Sequence, residues 1–449
     1  MKKTVFRLLA GAMAVLMLTG CGGAQTAPEA EPTGQPVQDI ELTETRAQLP
    51  NVSVYADALQ ETTDQTVLYE AMGEYFRVMD ELRAGARELA PDLSAFTAAF
   101  AQPIFSGKQE NTVYSPASLY LALSMLADST GGETKAQIVE LLGREDYAQA
   151  ANAMWRMIYE NGGILCQPAN SLWGSAACPL KPELGQTLAE NYYADSFTVP
   201  MGSPEADQTM QIWLNEHTGG QLTEQAQSVQ SDPSTVLGLM STLYFHALWQ
   251  LEFSEEETFP ADFTLADGAR ITADFLHSES DGSWHQGQGF VSSDLYFTDG
   301  SSMRLILPDE GILPEQLLTD PATVQDMLTA SMERYTYINW ALPKFDVSAD
   351  VDLREPMQSL GILDAFDPQV SDFTPATEQT AVSLSSAQQA SRVSIDEHGC
   401  TAATFTLLMG VGSGIPEEYT LEMNLNRPFI FAIMSSNDTP LFLGTVYTP

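Results

Sequence analysis

Apolar residues recur at helical spacing in the first part of the chain. Two segments predict buried helices and a third an amphipathic one: 93–105, 116–126 and 133–142. In the third segment Ile138, Leu141 and Leu142 share one side, with polar residues between them. Residues 41–90 contain helical periodicity as well, and we expect a helical N-terminal extension or lead-in there.

Short runs rich in β-branched and aromatic residues dominate the later part of the chain. They predict strands over 236–245, 303–307, 335–345, 393–395, 421–425, 428–434 and 441–446. Helices and strands do not alternate as βαβ units, and no segment repeats. The pattern therefore predicts one α+β domain with antiparallel sheets over residues 91–449.

The N-terminal residues have the pattern of an export signal. A basic start precedes an apolar run over 8–18, which is too short for a resident membrane span. The sequence Leu-Thr-Gly-Cys ending at Cys21 resembles a bacterial lipobox, so we expect a signal peptide over 1–20 and a lipidated flexible tether over 21–40. An ordinary secretory signal is the alternative. The expected location is the outer face of a bacterial membrane, with the protein exported and anchored by lipid.

Charge narrows the classes of partner. The 449 residues include 60 Asp and Glu against 19 Lys and Arg, for a formal charge of −41 at pH 7. Such a surface repels a phosphate backbone, so no nucleic acid is expected, and membrane contact is expected only through the lipid on Cys21. The hydrophobic fraction of 44% is too high for a disordered acidic chain and predicts a folded core.

Residues suited to catalysis or metal binding are not grouped along the sequence. The five His residues show no HExxH spacing, and Cys166, Cys178 and Cys400 form no CxxC pair. We expect no catalytic residue, no metal and no cofactor in this chain, and a monomer. A Cys166–Cys178 disulfide stays open, as does a hydrolase that uses an unrecognised carboxylate pair.

Several motifs in order along residues 91–449 resemble those of the serpin family. They are NTVYSPAS at 111–118, GET at 132–134, YF at 244–245 followed by Trp249 and Phe253, LPKF at 342–345, LGI at 360–362, NRPF at 426–429 and LFLGTVYTP at 441–449. The resemblance implies a serpin fold of the α+β class. It has helices around a large mixed, mainly antiparallel sheet, smaller β-sheets and an exposed reactive loop.

The resemblance also assigns residues to the shutter, the family's polar network beneath the opening of the large sheet. Ser115 and Ser118 match the motif at 111–118, while Gln211 and Gln389 stand where the family has an Asn and a His. An amide both donates and accepts hydrogen bonds, so a Gln211–Gln389 pair is expected to replace the Asn–His bonds.

A second cluster, the breach, lies at the top of that sheet in the family. The resemblance implies that Glu397 pairs with Lys344 there, with Trp249 nearby. An ordinary surface position for Glu397 is the alternative.

Residues 396–406 resemble the hinge that begins the family's reactive loop. In serpins a protease cleaves this loop, and the cut loop enters the large sheet as a new strand that traps the acyl-enzyme. Gly399 can act as a pivot, and Cys400, Ala402 and Thr404 alternate onto the face to be buried. The expected hinge comprises Glu397, Gly399, Cys400, Thr401, Ala402, Ala403 and Thr404. The absence of Pro and of charge between Gly399 and Ile415 favours a suicide-substrate inhibitor over a non-inhibitory serpin-fold protein.

Counting from the hinge as in the family places the reactive bond at Ser413–Gly414, within a window from Met409 to Glu417. No Lys or Arg lies between Gly399 and Asn426, which disfavours proteases whose specificity pocket holds a buried carboxylate. The expected targets are elastase-like or subtilisin-like serine proteases, and cysteine proteases stay open.

Overall fold

The computed structural model describes residues 43–50, 52, 58, 61–159, 165–218, 220, 223–332, 334–400 and 420–449. Its helices are α1 (Gln65–Arg83), α2 (Ser94–Phe105), α3 (Pro116–Asp128), α4 (Gly132–Leu142), α5 (Tyr147–Ile158), α6 (Pro182–Tyr192), α7 (Pro204–His217), α8 (Thr223–Ser228), α9 (Pro314–Leu318), α10 (Pro321–Thr329) and α11 (Arg354–Ser359). Short 3₁₀ turns lie at Glu255–Glu257 and Asp364–Phe366.

The first sheet, sheet I, is mixed. Its strands are β1 (Thr43–Thr45), β3 (Leu165–Ser175), β4 (Asp195–Val199), β5 (Leu237–Leu248), β11 (Asp346–Asp352), β12 (Leu384–Ser394) and β13 (Gly399–Cys400). Strand β2 (Thr112–Tyr114) belongs to the second sheet. The order across sheet I is β1-β4-β3-β5-β12-β11, and β13 pairs with β5. Strands β3 and β4 are parallel, as are β5 and β12, while the other neighbours are antiparallel.

The second sheet, sheet II, contains nine of the described strands and is mainly antiparallel. Its further strands are β6 (Phe259–Thr264), β7 (Arg270–Gly287), β8 (Phe290–Tyr296), β9 (Ser302–Pro308), β10 (Arg334–Pro343), β14 (Thr420–Asn424), β15 (Phe429–Met434) and β16 (Pro440–Val446). The order is β14-β10-β7-β8-β9-β15-β16-β2, with β6 paired to β7. Strand β14 is parallel to β10 and resumes the chain just after residue 419.

Helix α3 is the centre of the core. Ser115 caps its first turn, since the hydroxyl accepts from the Ser118 N–H at 3.1 Å, and Pro116 occupies a position where a missing N–H is tolerated. Every residue from Pro116 to Ala127 is buried. The helix contacts β3 and β5 of sheet I and β16 of sheet II, so both sheets bury apolar area against it.

The α+β class expected from the sequence is the class of this structure, and the predicted helices and late strands lie within a few residues of the observed ones, except that β12 begins nine residues before the predicted 393–395. The expected order of early helices and late strands is too simple, because β3 and β4 come early and α9, α10 and α11 come late. The strands outside sheet I form one continuous sheet of nine rather than several smaller ones.

The segment before residue 91 contributes more than a helix. Helix α1 packs on α5, and β1 adds an antiparallel edge strand to β4 that helical periodicity did not predict. No disulfide joins Cys166, Cys178 and Cys400, all of which are buried, so the Cys166–Cys178 bridge is not formed. Among the described helices, none combines the length and the apolar character needed to cross a membrane.

Candidate functional site

Strands β5 and β12 of sheet I are parallel neighbours joined over only part of their length. They pair from Leu237 opposite Leu384 to Thr242 opposite Ala390. Beyond that point, among the described residues, the stretch 243–246 of β5 has a strand partner on its β3 side only. Backbone groups along such an edge can pair with an incoming strand. An antiparallel strand entering here would lie between β5 and β12.

The first two residues of such a strand are already in position. Gly399 pairs with Leu248 and Cys400 with Ala247, both antiparallel to β5. Cys400 also bridges to Ile395 just beyond the end of β12 and is only 1% exposed. The predicted hinge therefore begins inside the sheet, and the burial expected for Cys400 only after loop insertion is present at the outset.

Only glycine fits at the start of this short strand. A Cβ on Gly399 would lie 2.2 Å from the Ala247 carbonyl oxygen and 2.8 Å from the Leu248 Cα, and both of these are backbone atoms that cannot move aside. The turn before it is held by the Asp396 carboxylate, which accepts from the N–H groups of His398 at 2.9 Å and Gly399 at 3.1 Å.

An ion pair secures the segment that leads into the hinge. Lys344 Nζ lies 2.8 Å from Glu397 Oε2, and the Glu397 side chain is 11% exposed against 37% for Lys344. Burial alone would raise the pKa of Glu397, but hydrogen bonds from Lys344, its own backbone and Thr258 hold that pKa below its usual value. The carboxylate is therefore kept ionised at the top of sheet I.

Trp249 connects the hinge to the rest of the molecule. Its indole N–H donates to the Asp396 carbonyl at 2.9 Å, and its backbone N–H donates to the His398 carbonyl at 2.8 Å. The ring stacks on Phe297 with centroids 4.5 Å apart, which fixes its orientation. The residues before Gly399 are thus held on both sides, by Lys344 and by Trp249.

A buried polar cluster lies lower down, where β5 and β12 do pair. The Gln389 amide of β12 accepts from the Ser115 N–H at 2.7 Å and donates to the Ser115 carbonyl at 3.0 Å. The Ser118 hydroxyl lies 2.5 Å from that of Ser241 and donates to the Thr242 carbonyl at 3.0 Å. These bonds tie both parallel strands to the start of α3, so the cluster resists separation of β5 from β12.

Comparison with known proteins identifies this architecture. A family model described as serpin, serine protease inhibitor, matches residues 92–449. The chain belongs to the serpin family. Serpins as a family are mostly inhibitors of proteases. The site described above consists of a strand edge and a hinge.

Relatives of this serpin are spread over distant organisms. It is 26% identical to plasminogen activator inhibitor 1 of Bos taurus over 82% of its own length and 93% of that protein. It is also 26% identical to an uncharacterised serpin-like protein of Methanosarcina acetivorans, over 80% of this chain and 86% of the other.

Solved serpins show the same fold. The native structure of the thermophilic serpin tengpin superposes with a TM-score of 0.71 at 26% identity, covering 80% of this chain and 94% of that one. Thyroxine-binding globulin, solved with thyroxine, superposes with a TM-score of 0.68 at 20% identity, covering 80% of this chain and 99% of that one. This likeness supports the fold alone.

Within this serpin, the structure corrects one shutter residue. Gln211 lies on α7 and donates to the Val229 carbonyl at 3.1 Å, and it does not contact Gln389. Helix α7 packs on the face of sheet I that carries Trp173, whereas the shutter lies on the opposite face, against α3. Ser241 is the strand residue that meets Ser118, and a Gln211–Gln389 pair is not formed.

The signal for Ser241 was visible in the sequence. Ser241 stands three residues before Tyr244 of the YF motif, at a position where the family resemblance implies an Asn. Register now shows that this position points towards α3. A hydroxyl replaces an amide there, and Gln389 supplies the amide from the neighbouring strand instead.

Asn170 on β3 is a buried polar residue that the sequence reasoning missed. It lies opposite Ser241 in register, and since paired residues share a face, both side chains point to the α3 side of sheet I. The residue is 2% exposed, and neither atom of its amide has a hydrogen-bond partner in the described part of the chain. A polar residue on an inward strand position, two before Leu172, was the available signal.

His246 on β5 directly follows the YF motif and lies near the breach. It is 6% exposed, and burial lowers its pKa, an effect that the nearby Asp396 carboxylate partly offsets. The imidazole is therefore favoured in its neutral form beneath the hinge.

The remaining predicted site residues lie outside the described residues. These are Cys21, Thr401, Ala402, Ala403, Thr404, Ser413 and Gly414. Among the described residues, no group of three His, Cys, Asp or Glu side chains could hold a metal ion.

Proposed function

We propose that this serpin is a suicide-substrate inhibitor of serine proteases. A protease attacks the loop over 401–419, and after acylation the freed segment continues β13 downward between β5 and β12. The observation that supports this proposal is the half-open edge of β5 with Gly399 and Cys400 already paired at its upper end. The first pairs of the new strand are already formed, so insertion only has to add further residues to β13 one after another along β5.

The proteases that we propose as targets are elastase-like or subtilisin-like enzymes, and the bond that they cut in this serpin is Ser413–Gly414. The loop offers only small or apolar side chains between Cys400 and Ile415. A protease with a shallow apolar pocket can accept such residues, whereas a pocket with a buried carboxylate would leave its charge unpaired.

The proposed location is the outer face of a bacterial membrane, with lipid on Cys21 and residues 21–40 as a tether. There the inhibitor would meet proteases from outside the cell. Metabolic labelling with a palmitate analogue tests this proposal, since Cys21→Ser should abolish both the label and the membrane association of the protein.

Incubation with an elastase-like and a subtilisin-like protease tests inhibition. An inhibitor yields a covalent complex that survives boiling in SDS, and mass spectrometry of the released loop fragment identifies the cut bond. A non-inhibitory serpin would yield two fragments and free, active protease. Ala402→Arg should convert inhibitor into substrate because a charge would enter the buried face of the sheet, whereas Ala403→Arg, on the other face, should do so less.

A further inference from the structure

The outer face of sheet II, where the loop rejoins the fold, carries exposed aromatic residues among carboxylates. Tyr335 is 59% exposed and Tyr337 is 41% exposed, although both are large and partly apolar. Strand alternation brings Glu279 and Asp281 of β7 and Glu422 of β14 to the same side. We call these five residues the aromatic–acidic face.

The face has an ordered arrangement. The Tyr337 hydroxyl donates to Glu279 at 2.9 Å, and Asn339 donates to Glu422 at 2.7 Å. No Lys or Arg occupies an outward position on the described residues of β7, β10 or β14 in this register. The three carboxylates therefore share their face with no Lys or Arg side chain of the described part of these strands, and they lie beside two accessible aromatic rings.

The distance between this face and the loop indicates which molecule contacts the face. Thr420 begins β14 and lies opposite Tyr337 in register. Gly414, after the proposed reactive bond, lies six residues before Thr420, a reach of about 20 Å at most. A protease domain of roughly 220 residues has a radius of gyration of about 17 Å. A protease engaged at the loop is too large to avoid this face.

We propose that the aromatic–acidic face is a docking surface for the target protease, and that it selects proteases with Arg or Lys on the rim of the active-site cleft. This inference rests on the proposed inhibitory function. Guanidinium groups stack on tyrosine rings and bind carboxylates with charge-assisted hydrogen bonds. Within residues 401–419 the only charged residues are Glu417 and Glu418, which follow the proposed reactive bond, and the aromatic–acidic face extends this negative charge onto sheet II.

The test measures association rates with a strongly cationic elastase. Two variants alter the face: Tyr335→Ala with Tyr337→Ala, and Glu279→Gln with Asp281→Asn and Glu422→Gln. Matched controls are Tyr69→Ala with Phe76→Ala on α1, and Glu140→Gln with Glu183→Gln and Glu190→Gln on α4 and α6, all at exposed positions. We expect each face variant to slow covalent trapping about tenfold and the controls to leave it unchanged.

Salt and a conservative variant sharpen the result. Raising salt from about 0.1 M to about 1 M shortens the Debye length from about 10 to about 3 Å, so the gap between wild type and the charge variant should close. Tyr335→Phe with Tyr337→Phe keeps the rings and should retain most of the rate, which separates docking from loss of folding.

The outcomes distinguish the two proposals. Trapping by wild type with equal rates for the face variants would overturn the docking surface and leave inhibition standing. If wild type forms no covalent complex, the proposed function fails, and equilibrium binding of the same elastase with its active-site serine changed to alanine decides the docking surface. Weaker binding by both face variants than by the controls supports it, and equal binding overturns it.

Discussion

Lys344 donates to both carboxylate oxygens of Glu397, at 3.1 Å to Oε1 and 2.8 Å to Oε2. The pair ties the turn between β10 and β11 to the residue two positions before Gly399. Because Gly399 and Cys400 are seated in sheet I, the ion pair sets how firmly the hinge is held before any protease arrives.

Removing the lysine should loosen the hinge. Lys344→Met leaves the Glu397 carboxylate mostly buried without its cation, and since Lys344 is more than a third exposed, we expect a loss of about 1 kcal/mol in the free energy of unfolding at pH 7. The measurement is urea denaturation combined with limited proteolysis at the hinge. Lys135→Met is the matched control, because Lys135 is 39% exposed and pairs with Asp128 away from the hinge. Faster hinge cleavage in the control as well would contradict this role.

The same pair should give a defined pH dependence. The pKa of Glu397 lies below its ordinary value of 4.5, so the folded state binds this proton less readily than the unfolded state does. Its stabilisation is present above that ordinary value and is lost as the pH falls through the lower folded value. The stability gap between wild type and Lys344→Met should therefore narrow below about pH 4. A gap that widens on acidification would refute the assignment.

Gly399 should not tolerate a side chain. Gly399→Ala places a Cβ against the Ala247 backbone, so we expect β13 to leave sheet I and loop insertion to lose its first pairs. Trapping should give way to simple cleavage, measured as a higher ratio of inhibitor to protease needed for full inhibition. Gly73→Ala in α1, where no atom lies within 4 Å of the added Cβ, is the control and should leave that ratio unchanged.

The unpartnered amide of Asn170 should lower the stability of the uncleaved fold. Asn170→Leu removes two buried polar atoms at similar volume, and we expect the free energy of unfolding to rise by about 1 to 3 kcal/mol. Asn170→Asp, which buries a charge in the same place, should lower it. Equilibrium denaturation of both variants measures the difference. Destabilisation by Leu comparable to that by Asp would mean that the amide is satisfied in solution.

Restoring the family's histidine should add a titratable group to the shutter. Gln389 holds Ser115 through a group that does not titrate in the physiological range. Gln389→His places an imidazole at a fully buried position, where burial disfavours its charged form. The free energy of unfolding should therefore fall as the pH drops below about 6.5, the ordinary pKa of histidine. Thermal melts from pH 5 to 8 test this, with Gln211→His on α7 as the control for an added histidine. Parallel profiles for the two variants would contradict the buried role of position 389.

Features that depend on residues close together along the chain could be predicted from the sequence. Ser115 and Pro116 begin α3 as their capping chemistry requires, and the motif around Trp249 marked the top of β5 correctly in position. Lys344 and Glu397 were paired through the family resemblance, since 53 positions separate them and periodicity cannot join them.

Register and face were harder to predict. Gln211 was assigned to the shutter by position along the chain, but α7 covers the opposite face of sheet I, and only the pairing of Asn170 with Ser241 shows which residues meet α3. Strand β1 is too short for period-two alternation to show, and the seating of β13 depends on a close backbone approach that sequence spacing does not encode.

Thermal unfolding of intact and loop-nicked protein under the same conditions tests the central claim, that the severed loop becomes a strand between β5 and β12. Limited cleavage within residues 409–417, followed by removal of the protease, gives the nicked form. Pairing with two strands and burial of the inward side chains should raise its melting temperature far above that of the intact protein. Coincident melting curves for the two forms would contradict insertion, and with it the inhibitory mechanism.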